Sequence, residues 1–432
     1  MKQTVMPVGW HESNNISEVS FMKMRFFLPL LILLLLCCVP ALAEEAKDIT
    51  DQCKFSASPG KFKLTRMYDR DYRTAYMSDK QKTPYVELTA PKGSPVYSLY
   101  VCFAHKVLTP WELQAKHGGK WETIYESEGS FAHEYVVLTQ AEESLRIRSK
   151  AEKQTQMIVN EIFAFGPGEA PSFVQTWEPT AEKADLMVIA AHPDDEILFF
   201  GGTIPAYAVE RGLNVVVVYM TNGTTKDGIT SRRSELLNGL WEMGVRQYPV
   251  VGTFDDLYSA KLEKGYEIWG KTKTWQFITQ MYRQYKPEVV ITHDVNGEYG
   301  HGAHRVCADA AQRCIATAAD SGTYADTASQ YGAWQVKKLY LHLYKEGAIE
   351  MDWDQPLSAL NGRTGYEAAL DAYTWHVSQH EAGQKNPKTG KYELFTVEDR
   401  SSDYSCYRFG LAYTAVGPDV AMNDFMENIS GF

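Results

Sequence analysis

The chain's 432 residues exceed one ordinary core, so two domains are the starting expectation. Hydrophobic residues make up 44% and charged residues 22%, a globular composition that excludes wholesale disorder. The formal net charge of -11 argues against a nucleic-acid or anionic-membrane partner, since either would need a basic face.

The chain opens on a leader-like segment. Lys23 and Arg25 precede the apolar run Phe26 to Ala43, which ends on Ala41-Leu42-Ala43. A basic start, an apolar run and a small-residue end predict a secretory signal peptide over residues 1–43, with Glu44 as the first mature residue. The run is short for a membrane span, and Pro29 and Pro40 interrupt it. The expectation is therefore a secreted or cell-envelope protein with no stable span after leader removal. The polar stretch ahead of Met22 is unlike a leader, which makes Met22 or Met24 a candidate translation start. Cys37 and Cys38 leave with the leader, and Cys53, Cys102, Cys307, Cys314 and Cys406 remain. An oxidising compartment permits a bridge, and Cys53 with Cys102 is the first candidate pair. Cys307 and Cys314 stand about 10.5 Å apart along a predicted helix, too far to pair. No CxxC pair occurs, which argues against a structural zinc knuckle.

Residues 44–168 read as all-β. Strands are expected at Pro84 to Leu88, Val96 to Phe103, Trp121 to Tyr125, Glu134 to Leu138, Ser144 to Ile147 and Met157 to Phe165. Turn residues at Lys92-Gly93, His117-Gly118-Gly119 and Gly166-Pro167-Gly168 separate them. Evenly spaced short strands predict a sandwich or jelly roll. Residues 169–183 read as a linker. Strands and helices then alternate through 184–432. The predicted strands are Asp185 to Ala190, Asn214 to Met220, Tyr248 to Gly252 and Glu288 to Thr292. The predicted helices are Ile197 to Arg211, Ser231 to Met243, Tyr266 to Tyr285 and His304 to Ala319. Such alternation predicts an α/β fold: a Rossmann-like parallel sheet with helices on both faces, whose site lies at the carboxyl ends of strands.

The chemistry gathers at two of those ends. The first strand runs into Ala191-His192-Pro193-Asp194-Asp195-Glu196, one imidazole with three carboxylates. Like charges so close repel, and a divalent cation relieves the repulsion. Imidazole with carboxylate suits zinc, which in catalytic sites takes three protein ligands and leaves one position open. A further histidine is then expected, and the fourth strand leads to His293-Asp294, Tyr299, His301 and His304. Against this stands the plain alternative that Asp194 and Asp195 only favour a helix N-terminus and that the histidines are solvated.

The α/β half resembles the LmbE/PIG-L family of zinc-dependent N-acetylglucosamine deacetylases. The resemblance rests on AHPDDE at 191–196, Gly201-Gly202 and Tyr299-Gly300-His301-x-x-His304. Weaker matches are Arg232-x-x-Glu235-Leu236, Phe254-Asp255 and Trp375-His376-x-Ser378-Gln379. It implies one Zn²⁺ per chain on His192, Asp195 and His304, and Asp194 as the general base. It implies that His301 protonates the leaving amine or steadies the oxyanion, and that Tyr299 is a mobile oxyanion donor. Arg232, Asp255 and His376 match positions that bind substrate. One departure concerns His301. The family's YGHPDH reads Tyr299-Gly300-His301-Gly302-Ala303-His304 here, so the carboxylate that orients the first histidine is absent, with Asp294 and Glu298 as candidate replacements.

The all-β half resembles the discoidin-type (F5/8C, galactose-binding-like) jelly rolls more weakly. It does so through Asp71-x-x-Thr74-x-Tyr76-x-Ser78, Gly118-Gly119-Lys120-Trp121 and Glu161 to Gly166. The resemblance implies a glycan-binding module, with Tyr68, Tyr72, Tyr76 and Trp111 as candidate stacking aromatics. The expected activity is removal of the N-acetyl group from an N-acetylglucosamine-type sugar, in an extracellular glycan. The alternatives are a non-catalytic secreted glycan-binding protein and a zinc amidase acting on a non-sugar amide.

Overall fold

In chain order the first half holds β1 (Lys54–Ala57), β2 (Gly60–Lys61), β3 (Tyr76–Ser78), β4 (Tyr85–Thr89), β5 (Val96–Phe103), β6 (Trp111–His117), β7 (Lys120–Ser127), β8 (His133–Glu142), β9 (Ser144–Ser149) and β10 (Ile158–Phe165). They form two five-stranded sheets, β1-β4-β9-β6-β7 and β2-β3-β10-β5-β8, whose pairings are all antiparallel. Period-two burial along β9 sends Leu145 and Ile147 inward, where they meet Val86, Leu113, Leu99 and Ile162 between the sheets. The architecture is a computed structural model describing residues 44–224, 229, 231–385 and 390–432. The leader expected over 1–43, with Cys37 and Cys38, lies outside the described residues.

The second half holds β11 (Leu186–Ala190), α1 (Asp195–Leu198), β12 (Val215–Thr221), α2 (Ser231–Glu242), β13 (Val250–Phe254), α3 (Leu262–Trp269), α4 (Lys271–Tyr285), β14 (Val289–Thr292), α5 (Gly302–Ala319), α6 (Ala325–Tyr331), β15 (Lys338–His342), β16 (Ala348–Glu350), α7 (Gly365–Tyr373), β17 (Gly383–Lys385), β18 (Tyr392–Leu394) and β19 (Arg408–Thr414). The main sheet runs β13-β12-β11-β14-β15-β19-β16. Its first five strands are parallel, β19 runs antiparallel to them, and β16 pairs antiparallel with β19, so the sheet is mixed rather than parallel throughout. Both β16 and β19 come from the tail after β15. Alternate residues of β11 enter two cores. Leu186, Val188 and Ala190 meet α2 and α7, while Met187 and Ile189 meet α3, α4 and α5. No helix among the described residues is long and apolar enough to cross a membrane.

Several expectations are corrected. The helix expected over Ile197 to Arg211 is broken into the single turn α1 and a short wide turn at Pro205–Glu210. Gly201 and Gly202 cause the break. Gly201 has φ +40°, and a Cβ there would lie 2.5 Å from Cys406 Sγ; one on Gly202 would lie 2.7 Å from the Trp353 ring. The tail thus packs directly onto this backbone. The helix expected over Tyr266 to Tyr285 starts earlier and divides at Gly270, φ +78°. The linker segment is packed rather than free: Trp177 is buried against Trp241 and Tyr248. Ala46–Phe432 accordingly forms one compact unit. Cys53 and Cys102 are both free thiols. Cys53 packs on the main sandwich core, whereas Cys102 faces a separate cluster with Tyr100, Phe163 and Phe165.

Candidate active site

β11 and β14 are neighbours in the sheet, so the loops leaving their carboxyl ends meet. His192 Nδ1, Asp195 and His304 Nε2 converge there. His304 Nε2 lies 3.3 Å from His192 Nδ1 and 3.3 Å from Asp195 Oδ1, and His192 Nδ1 lies 3.2 Å from Asp195 Oδ2. Separations of about 3.3 Å are those that tetrahedral bonds of about 2.0–2.1 Å require between ligand atoms. All three side chains are buried. Burial acts to raise the Asp195 carboxyl, but the imidazoles of His304, His192 and His293 outweigh it and hold it well below the usual range.

The histidine geometry is fixed from behind by Glu298, a carboxylate with no exposure. Glu298 Oε2 accepts from His304 Nδ1 at 2.8 Å and from His293 Nδ1 at 2.8 Å, and Oε1 accepts from His342 Nδ1 at 2.6 Å. Donation from Nδ1 turns the free Nε2 of His304 toward Asp195. His293 serves differently. Its Nε2 accepts the Ala191 backbone N–H at 3.0 Å, so it supports the loop instead of offering a lone pair to an ion. Burial acts to raise the Glu298 carboxyl as well, and its three histidine partners hold it well below the usual range.

Asp194 sits beside this group with φ +136°, a conformation that side chains rarely adopt. Its Oδ1 accepts from Arg232 at 2.7 Å. Arg232 also donates to Pro193 O and, at 3.0 Å, to Asp256 Oδ2. Burial pushes the Asp194 carboxyl up to about 8, with Arg232 opposing and Asp195 reinforcing the rise. Asp194 is thus suited to exchange a proton near neutral pH. Below it, Glu196 Oε2 accepts the Asp194 N–H at 3.0 Å.

His301 caps the start of α5, its Nδ1 accepting the Ala303 N–H at 3.2 Å. Neither Asp294 nor Glu298 replaces the family's carboxylate; a backbone N–H orients this ring, and the neutral ring then carries its proton on Nε2. Burial, followed by the nearby His192 and His304, pushes its pKa far down. Gly302 is required where the family has proline, because a Cβ there would lie 2.7 Å from Lys261 O. The Tyr299 hydroxyl donates to Glu398, and its ring stacks on Phe395 at 4.9 Å.

The cleft in front, about 180 Å³, is lined by His192, Asp194, Asp195, Arg232, Asp256, Tyr299, His301, His304, Gln379 and Phe395 among others. Two expected substrate residues lie elsewhere. The Asp255 side chain is 64% exposed and 3.7 Å from Lys106 Nζ; its neighbour Asp256 faces the cleft, 3.6 Å from His192 Nε2. His376 is fully buried behind the cleft, 3.9 Å from Glu196. From that segment Gln379 reaches the cleft instead, and Glu235 holds it by accepting from Ser378 N at 2.9 Å and Ser378 Oγ at 2.7 Å. The two weaker motifs are therefore halves of one contact. In the sandwich, Tyr76 and Trp111 are buried, Tyr68 stacks on Phe55, and Tyr72 packs against Trp375. Tyr76 and Trp111 are thus withdrawn from the surface, while Tyr68 and Tyr72 are half-buried.

Residues 187–315 match the family model described as PIG-L, GlcNAc-PI de-N-acetylase. The chain is similar to the 1D-myo-inositol 2-acetamido-2-deoxy-alpha-D-glucopyranoside deacetylase 1 of Catenulispora acidiphila, 29% identical over 196 residues, covering 40% of this chain and 59% of that protein. It is also similar to the probable N-acetylglucosaminyl-phosphatidylinositol de-N-acetylase of Schizosaccharomyces pombe, 30% identical over 133 residues, covering 30% of this chain and 51% of that protein. The chain spans 59–64% of the length of the first curated relatives it matches. Among solved structures, the conserved protein TT1542 of Thermus thermophilus aligns with TM-score 0.33 and 19% identity, over 46% of this chain and 80% of that one. The family 32 CBM of C. perfringens NanJ, in complex with galactose, aligns with TM-score 0.25 and 13% identity, over 28% of this chain and 98% of that one.

Proposed function

We propose that this chain is a zinc-dependent deacetylase that hydrolyses the N-acetyl amide of an N-acetylglucosamine-type sugar in an extracellular glycan. The observation that carries the proposal is the convergence of His192 Nδ1, Asp195 and His304 Nε2 beside Asp194, whose Oδ1 is held by Arg232 at 2.7 Å. Similarity to named deacetylases supports the sugar amide as substrate. His192, Asp195 and His304 would hold one zinc ion. When bound, that ion supplies a Lewis acid that acidifies water and polarises the amide carbonyl.

The protein's own groups do the rest. Asp194 accepts a proton from the attacking water as the oxygen bonds to the carbonyl carbon. His301 donates its Nε2–H to the carbonyl oxygen as negative charge develops there. Tyr299 reinforces that donation once its hydroxyl leaves Glu398. Asp194 then returns the proton to the amide nitrogen as the C–N bond breaks, releasing acetate and the free amine. This assigns the leaving-group proton to Asp194, because His301 lacks a carboxylate partner and is held neutral. Arg232 keeps Asp194 oriented, and Asp256 and Gln379 are placed to meet sugar hydroxyls.

The leader expected over 1–43 accounts for export, and an extracellular glycan is the substrate class that export makes accessible. The alternative of a non-catalytic glycan binder finds no support in Tyr76 and Trp111, which are buried in the protein. The test is acetate release from N-acetylglucosamine oligomers by the chain from Glu44, beside Asp194→Ala. Release by the parent, abolished in the variant, supports the proposal. Equal release by both refutes the assigned role of Asp194, and absence of release from every N-acetylated sugar refutes the activity.

A further inference from the structure

Helix α2 has three faces with three different tasks. Arg232, Glu235 and Gly239 face the catalytic side, where Arg232 orients Asp194, Glu235 fixes Ser378 and Gly239 allows His376 to approach. Leu236, Leu237 and Leu240 enter the core. Ser234 faces the β-sandwich instead, and Asn238, one helical turn on, faces Gln175 of the 169–183 segment.

That third face is buried and polar, and its side chains lie within hydrogen-bond distance of one another. His133 Nε2, at the start of β8, lies 3.0 Å from Ser234 Oγ. Ser234 Oγ is also 3.1 Å from Asn160 Oδ1 of β10, whose amide donates to Tyr72 O and Thr74 O. His133 Nδ1 lies 2.7 Å from Gln175 Oε1, and Gln175 Nε2 donates to Asn238 Oδ1 at 2.6 Å. Ser234, His133, Asn160, Gln175 and Asn238 are all at most 5% exposed. Arg233 completes the join by donating to His105 O at 2.8 Å and Lys106 O at 3.2 Å. A buried network of this kind favours one geometry, because a shift would cost it hydrogen bonds.

We propose that the β-sandwich is a positioning element of the catalytic centre, with His133 and Ser234 as the positioning pair that sets α2 and, through Arg232, the aim of Asp194. The claim rests on the deacetylase reading for what Asp194 does, and on the interface alone for how α2 is held. Its consequence is that the sandwich is needed for turnover on short soluble substrates that it has no reason to bind.

The test uses the full chain with N,N′-diacetylchitobiose as the probe substrate. Ser234→Ala removes one hydroxyl and creates little space. Tyr248→Phe is the control, since it removes the Tyr248 hydroxyl's bond to Ala132 N at the same join without touching α2. Expected are similar small losses in melting temperature for both variants. A fall of roughly tenfold in kcat, with KM within about twofold, is expected for Ser234→Ala only. Hydrogen–deuterium exchange should quicken over 231–242 and 191–198 in that variant. Equal kcat in the two variants, or faster exchange that stops at α2, overturns the proposal. If the parent has no activity while exchange still spreads from 231–242 to 191–198, the positioning survives and the assigned activity fails.

Discussion

Glu298 Oε2 accepts the Nδ1–H of His304 at 2.8 Å, and this bond determines which nitrogen of His304 faces Asp195. Second-layer carboxylates of this kind typically contribute 10- to 100-fold to metal affinity. Glu298→Gln is therefore expected to weaken zinc binding by roughly that factor, read by competition with a chromophoric chelator. The same variant should release acetate at near-parent rates when zinc is in excess, if the chain still folds. Unchanged affinity would show that His304 is oriented by packing alone.

Asp256 and Asp255 separate cleanly. Asp256→Asn removes a charged partner of Arg232 inside the cleft, and kcat/KM should fall roughly tenfold or more, about 1.4 kcal/mol of transition-state stabilisation. Asp255→Asn removes only an exposed contact with Lys106 and should stay within about twofold. The reverse pattern would restore the residue expected from sequence.

Glu161 gives the sandwich a pH dependence. It is fully buried, Arg70 Nη1 lies 3.6 Å from its Oε2, and burial pushes its pKa up to about 9 despite Arg70. A carboxyl raised in the folded state binds its proton more tightly there than when unfolded, so stability falls as pH rises. The penalty is absent below the unfolded value near 4.5 and grows up to about pH 9. Glu161→Gln should thus raise the melting temperature at pH 8 and leave it nearly unchanged at pH 4. A shift of equal size at both would assign the effect to packing.

Gly201→Ala and Gly202→Ala each place a methyl where Cys406 or Trp353 already sits. Overpacking of this order costs about 1–3 kcal/mol, and Gly201 adds strain at positive φ. Urea unfolding should show lower midpoints for both, with Gly201→Ala the more severe.

The legible parts of the site were local ones. His192, Asp194 and Asp195 share a strand end, and His301 and His304 share a helix start, so spacing alone brought each group into view. Asp256 was hidden because Asp255 and Asp256 lie in the loop beyond β13, where strand alternation no longer decides which of the two faces inward. The role of Glu298 was hidden because it depends on His342, at the end of a strand not anticipated from the sequence. The sandwich was readable as short strands, yet Tyr76 and Trp111 carry the same letters whether buried or displayed. The packing of Trp353 and Cys406 against Gly201-Gly202 could not be read either, so a broken turn looked like a long helix.

The most direct test is zinc content of the purified chain, measured by mass spectrometry beside His304→Ala, with acetate release followed through chelation and zinc return. The account predicts about one zinc per chain in the parent, strongly reduced zinc in the variant, and activity lost on chelation and recovered with zinc. Acetate release that persists in metal-free protein, or a parent chain that binds no metal at all, would contradict it.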